Sequence, residues 1–186
     1  MKILSLLENK MNIDDANKAK LDAMFSSRNP QIILLVGLPG SGKSTFTDNY
    51  RLKKHGIIAS TDDLIEARAK EMGMTYSEAF HKIDFKEVEN EMKNAIRDAG
   101  KKGTNVIVDQ TNMSNKSRAS KLDLVPKNYE RHAIVFWPEI EVVKARLEKR
   151  AKETGKVIPQ KVIDSMLANY VPPSDREGFK SVIFVK

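Results

Sequence analysis

Between Gly37 and Thr45 the chain reads Gly-Leu-Pro-Gly-Ser-Gly-Lys-Ser-Thr, which satisfies the spacing G-x-x-x-x-G-K-[ST]. Glycines at these positions let successive backbone N–H groups turn toward one point, and a lysine at the end adds a mobile positive charge. Such a loop suits a string of phosphates. The amides and the following helix N-terminus would cradle a β-phosphate, Lys43 would reach the β- and γ-phosphates, and the Ser44 hydroxyl would ligate Mg²⁺. Gly37, Pro39, Gly40, Ser41, Gly42, Lys43, Ser44 and Thr45 are therefore the expected ATP-binding set. A glycine-rich turn that only caps a helix is the competing reading, and the strand-to-helix setting counts against it.

Acidic residues follow at intervals. "STDD" (60–63) places two aspartates where a carboxylate would face a γ-phosphate and take the proton of an acceptor hydroxyl. Ser60 and Asp63 have capping-box spacing, which leaves Asp62 as the candidate base; the alternative is that both carboxylates serve only the helix start. "VIVDQTN" puts Asp109 after three apolar residues, where it would hold Mg²⁺ through water or simply form a turn. Thr111 and Asn112 suit that turn and lie within reach of a substrate. Lys116, Arg118 and Lys121 come early on the next helix, open either to nucleic-acid phosphates or to solvent. A later basic helix carries Lys144, Arg146, Lys149, Arg150 and Lys152 before Gly155 and Pro159. Its flexible break suits a lid that swings an arginine onto a phosphoryl group, whereas periodicity alone favours an exposed helix end.

Something must position these groups. Apolar runs at 31–37, 56–60, 105–109, 131–137 and 181–185 read as buried strands. Stretches 44–54, 62–72, 85–101, 114–122, 139–154 and 159–169 read as helices, several starting at Ser, Asp or Pro. The alternation predicts an α/β fold: a five-stranded parallel sheet flanked by helices on both faces, with ligands at the carboxyl ends of the strands. Residues 1–30, with Ile13, Leu21, Ala23 and Met24 loosely spaced, read as an N-terminal helical extension closed by Pro30.

Length and composition agree with one globular domain: 186 residues, 40% hydrophobic and 31% charged. The absence of cysteine excludes a disulfide framework and a thiolate zinc site. Glu8 interrupts the apolar start well short of a signal core or membrane span, so a cytoplasmic protein is expected. A net charge of +7 favours an anionic partner, whether nucleotide, nucleic acid or acidic protein.

"GLPGSGKST", "STDD", "VDQTN" followed by Arg118, and "EKRAKETGKVIPQKVIDSM" continuing into "PPSDREGF" together resemble the kinase domain of the polynucleotide 5′-hydroxyl kinase family, over residues 31–186. The resemblance implies a P-loop kinase core with a lid, moving the γ-phosphate of ATP to 5′-hydroxyl ends of DNA or RNA. By position it makes Lys43 and Ser44 the phosphate and Mg²⁺ residues, Asp62 the general base and Arg150 a lid arginine on ATP. The segment from Glu71 to Phe85, with Tyr76, Phe80 and Phe85, falls where the family covers its substrate; those rings would stack on a base or pack in the core. Asp62, Thr111, Asn112 and Arg118 are the expected substrate contacts. Two positions depart from phage members: Ile65 and Thr154 stand where those carry arginine, with Arg68 one turn beyond Ile65. No phosphatase motif Asp-x-Asp-x-Thr is present, so kinase chemistry alone is expected of these residues. The alternatives are a P-loop kinase of a nucleoside, sugar acid or nucleotide-sugar, as in zeta-type toxins, and a nucleotide-binding module without turnover.

Overall fold

The apolar runs become five strands, β1 (Gln31–Val36), β2 (Ile57–Ala59), β3 (Val106–Asp109), β4 (Glu130–Phe136) and β5 (Ser181–Val185), in a computed structural model that describes residues 13–186. All pair in parallel in the order β2-β3-β1-β4-β5. Every residue of central β1 is buried, as a strand covered on both faces requires. Eight α-helices complete the described residues: α1 (Asp15–Ser26), α2 (Lys43–Asn49), α3 (Thr61–Glu71), α4 (Tyr76–Lys82), α5 (Phe85–Lys102), α6 (Asn115–Leu122), α7 (Ile140–Thr154) and α8 (Gln160–Ala168). This is the P-loop kinase fold.

Strand alternation divides the core. Ile32, Leu34 and Val36 face one layer with Val106, Val108 and Val135, against Met92 and Ile96 of α5 and Leu122 of α6. Ile33 and Leu35 face the other with Ile107, Ile134 and Ile183, against Leu21 and Met24 of α1 and Phe46 of α2. Each such side chain contributes about 1.5–3 kcal/mol on burial. A third cluster, Leu38, Met113, Val143 and Ile163, packs α7 and α8 against the loop after β1 and the turn after β3.

Helix α1 starts at Asp14, whose carboxylate accepts the Asn17 N–H at 2.8 Å. It is built into the core and covers the sheet edge: the Phe184 N–H donates to Asn17 Oδ1 at 3.1 Å and Lys20 to the Val182 carbonyl at 3.2 Å. The rest of the expected extension, residues 1–12, lies outside the described residues. Two elements differ from the sequence reading. The helix expected over 44–54 stops at Asn49, because Arg51 turns left-handed (φ 49) and a 3₁₀ turn, Leu52–Lys54, takes the chain into β2. The loop expected between α3 and α5 holds α4, seven residues started by a capping box in which Thr75 and Glu78 bond each other reciprocally.

Candidate active site

The P-loop leaves β1 at Gly37, which no larger residue could replace: a Cβ there would sit 2.7 Å from the Phe136 carbonyl oxygen. Its N–H donates to the Thr111 carbonyl at 2.9 Å, which pins the loop to the end of β3. Gly42 starts α2 in a left-handed conformation (φ 107) that only glycine adopts freely, and no side chain caps the helix. Lys43 is buried, with its Nζ donating to the carbonyls of Gly37 at 3.0 Å and Leu38 at 2.8 Å. Burial draws its pKa down to about 8, against the opposing pull of Asp109 and Asp62. Ser44 and Thr45 are exposed on the first turn of α2; Ser41 is buried.

Asp62 sits in the first turn of α3. Its Oδ1 accepts the Tyr76 hydroxyl at 2.8 Å and its Oδ2 accepts Lys156 Nζ at 2.7 Å. Burial pushes this carboxyl up, but the hydrogen bond and charge of Lys156, with Tyr76 and Arg150, outweigh it and hold the group below the usual carboxylate range. Asp63 serves the helix through its backbone, donating N–H to Ser60 Oγ at 3.1 Å. Asp109 ends β3 beside Leu35 of β1, and burial raises its pKa while Lys43 opposes. Arg150 of α7 lies near enough to Lys43, Asp62 and Tyr76 for its charge to act on each of them.

These groups fit a phosphate chain with Mg²⁺. The loop leaves the first amides of α2 without a side-chain cap and holds a buried ammonium against its own carbonyls, and the charge of that ammonium reaches Asp109 at the end of β3. Among the described residues no three His, Cys, Asp or Glu side chains converge, so an ion would rest on Ser44, Asp109 and phosphate oxygens, in keeping with the few protein ligands Mg²⁺ takes.

Three expected contacts need correction. Arg118 is fully buried: Nε and Nη2 bond Glu177 at 2.7 Å each, and Nη1 donates to the carbonyls of Asn112, Met113 and Val171. It is a strut between α6 and the segment before β5, out of reach of any substrate. Lys121 is buried too, bonded to Ser117 Oγ at 2.7 Å and drawn down to about 8 by desolvation, so only Lys116 of the three early cations is exposed. The three cations therefore do not share one exposed basic face. Asn112 is also interior; it takes a positive φ of 47 and donates Nδ2 to the Leu35 carbonyl at 2.8 Å, pinning β1 to the turn after β3. Thr111 stays half-buried beside the P-loop. We expect Arg118→Ala to destabilise the fold by about 3–5 kcal/mol in urea titration, because Glu177 is left half-enclosed without its partner. Near-native stability with a loss of acceptor binding would restore the substrate role.

Gln110 and Lys156 join the site without having been singled out, and Arg146 and Tyr76 make contacts that the sequence reading did not give them. Arg146, one turn before Arg150, donates Nη1 to the Gly40 carbonyl at 3.3 Å; the i, i+4 spacing of two arginines was the available signal. Gln110 donates to Thr61 Oγ1 at 3.0 Å and ties β3 to α3. Lys156 and Tyr76 bond Asp62 from 94 and 14 residues away. Ile65 is buried, Arg68 is taken by Glu91 at 2.6 Å and Glu87 at 3.3 Å, and Thr154 bonds the Arg150 carbonyl at 2.8 Å to finish α7.

Comparison with known proteins places this geometry among relatives. A family model described as an AAA domain matches residues 32–173. The mouse heterogeneous nuclear ribonucleoprotein U-like protein 2 is 29% identical over 161 residues, 83% of this chain and 21% of that protein. A putative bifunctional polynucleotide phosphatase/kinase of Acanthamoeba polyphaga mimivirus is 28% identical over 177 residues, 91% of this chain and 37% of its own length. The chain thus spans well under half of either relative. Among solved structures, a chain of the Pnkp1/Rnl/Hen1 RNA repair complex superposes with a TM-score of 0.60 at 27% identity, covering 77% of this chain and 45% of that one.

Proposed function

The chain belongs to the AAA domain family that this match defines, and from that premise we propose that it is an ATP- and Mg²⁺-dependent kinase of nucleic-acid 5′-hydroxyl ends. The observation that carries the choice of acceptor is the aromatic run on α4 and α5 that leads away from Asp62. Tyr76, whose hydroxyl bonds Asp62, lies 5.9 Å from the Phe80 ring, and Phe80 lies 4.5 Å from Phe85. Phe80 and Phe85 are 39% and 43% exposed. Flat rings offered to solvent beside an acceptor carboxylate suit an unstacked nucleobase, worth about 1–3 kcal/mol per stacked base. A sugar acid would want an enclosed polar pocket instead. The viral and RNA repair relatives support the same reading, and no helix among the described residues is long and apolar enough to cross a membrane.

The mechanism is direct in-line transfer. Asp62 accepts the proton of the 5′-hydroxyl as its oxygen bonds to the γ-phosphorus and the bond to the ADP oxygen breaks. Lys43 and Arg150 stabilise the charge on the transferring group, and Arg146 holds the loop from outside. Mg²⁺, held by Ser44 and through water by Asp109, would neutralise phosphate charge.

The pKa of Lys43 gives a pH dependence. Its pKa lies near 8, and ATP binds the protonated form, so affinity is steady below pH 8 and falls as pH rises through it. A drop of about tenfold by one unit above the pKa is expected in titrations of ATP affinity against pH. A flat profile to pH 9.5 would show that Lys43 stays charged throughout.

Substrate choice is tested by offering labelled ATP with 5′-hydroxyl DNA, 5′-hydroxyl RNA, nucleosides and sugar acids side by side. Label on the oligonucleotides alone is the expected result. Preferential labelling of a small acceptor would make this a small-molecule kinase, and binding without turnover would make it a nucleotide-binding module.

A further inference from the structure

The chain leaves α7 at Gly155, in a left-handed conformation (φ 70), and the next residue does not turn to solvent. Lys156 stands in a connecting segment, where a lysine normally reaches into water, yet its side chain is only 8% exposed. Its ammonium meets Asp62 Oδ2 at 2.7 Å and lies 3.6 Å above the centre of the Tyr76 ring. The Tyr76 hydroxyl takes the other oxygen, Oδ1, at 2.8 Å. Ser77 donates to the Gly155 carbonyl at 2.9 Å, so the root of the lid is also tied to α4 by its backbone. The carboxylate is thus gripped from two elements, one on each oxygen, while the phosphate side of the site already has Lys43 and Arg150.

Resting on the reading of Asp62 as the acceptor base, we propose that Lys156 and Tyr76 are positioning residues that couple lid closure to that base. With the lid down they fix the orientation of Asp62 and favour its charged form. A carboxylate has about four acceptor positions and these partners use two, so the acceptor hydroxyl still finds a lone pair. When the lid lifts, Lys156 goes with it, and Asp62 loses its nearest positive charge together with its orientation. Activation of the hydroxyl is thereby confined to the closed enzyme, where water is excluded from the transferring phosphoryl group.

The groups that act on Asp62 come from several elements. Lys156 of the lid, Tyr76 of α4 and Arg150 of α7 favour its charged form. Lys43 of the P-loop and Asp109 of β3 couple to it through space, while Asp63 and Glu66 of α3 act on Asp109 and Tyr76 in turn. Lys156 is the strongest of the favourable partners, so its removal should let the carboxyl rise toward its ordinary value.

The test uses the full chain and the variants Lys156→Met, which keeps most of the apolar stem, and Tyr76→Phe, which keeps the ring beneath the ammonium. Carboxyl NMR titration of Asp62, with the signal assigned through Asp62→Asn, needs no acceptor. We expect its pKa to rise by about one unit or more in Lys156→Met and by less in Tyr76→Phe. With the acceptor that the enzyme phosphorylates, kcat should fall about tenfold or more in Lys156→Met with KM for ATP within about twofold. The acid limb of kcat should move to higher pH, and Lys156→Arg should move it back. An Asp62 titration unchanged in both variants overturns the coupling, as does a shifted titration with wild-type kcat. Should Lys156→Met fail to fold, Tyr76→Phe decides by the same two readings. An inactive Asp62→Asn beside a wild-type Lys156→Met removes the coupling alone, whereas a fully active Asp62→Asn removes the base and the coupling with it.

Discussion

Asp62→Asn is expected to slow the phosphoryl-transfer step by about 10²–10⁴ while ATP affinity changes by less than about twofold. Asparagine keeps the shape of the side chain and one oxygen for a hydrogen bond, so Tyr76 or Lys156 retains a partner. What it loses is the capacity to take the proton of the acceptor. ATP affinity is spared because the contacts of the P-loop do not pass through α3. Single-turnover kinetics separates the two quantities, and Asp63→Asn is the control. Asp63 helps α3 mainly through its backbone N–H on Ser60, so changing its side chain should cost only about 0.3–1 kcal/mol of stability from the helix N-terminus and leave the transfer rate alone. The opposite pattern would mean that Asp63 is the base.

Lys43→Ala should lower turnover by at least roughly a hundredfold in a protein that still folds. The ammonium is the fixed positive charge nearest the phosphate cradle, and its loss removes stabilisation that grows as charge moves onto the leaving oxygen. The fold should tolerate the change. Lys43 is costly to bury, as its pKa near 8 records, and it bonds only two loop carbonyls, so removing cation and cost together leaves stability nearly unchanged. Thermal unfolding and steady-state kinetics of the same preparation check both halves. Near-normal transfer by a folded variant would end the assignment of Lys43.

The sheet was legible because each strand is a short apolar run closed by a residue of distinct character, such as Gly37 after β1 or Asp109 at the end of β3. The same physics hid other features. Helix α4 has seven residues and one fully buried side chain, Ala79, too few to show a period; the Thr75-x-x-Glu78 box was its only local mark. Arg118 and Lys121 read as surface charge because arginine and lysine usually are, and nothing near them in the chain announces Glu177, 59 residues on, which makes burial of Arg118 tolerable. Asp62 could be singled out by the spacing of Ser60 and Asp63, but not the grip of Lys156, 94 residues away. Spacing reads groups that share an element. Contacts between elements depend on how the lid and α4 pack, which no local pattern encodes.

Competition in one tube decides the acceptor: γ-labelled ATP, Mg²⁺, a 5′-hydroxyl oligonucleotide, the same oligonucleotide already carrying a 5′-phosphate, and an excess of a sugar acid. Label entering only the 5′-hydroxyl strand, releasable by a phosphatase and absent with Asp62→Asn, is the predicted result. Label on the sugar acid, or none on the 5′-hydroxyl strand from a protein that binds ATP normally, would contradict it.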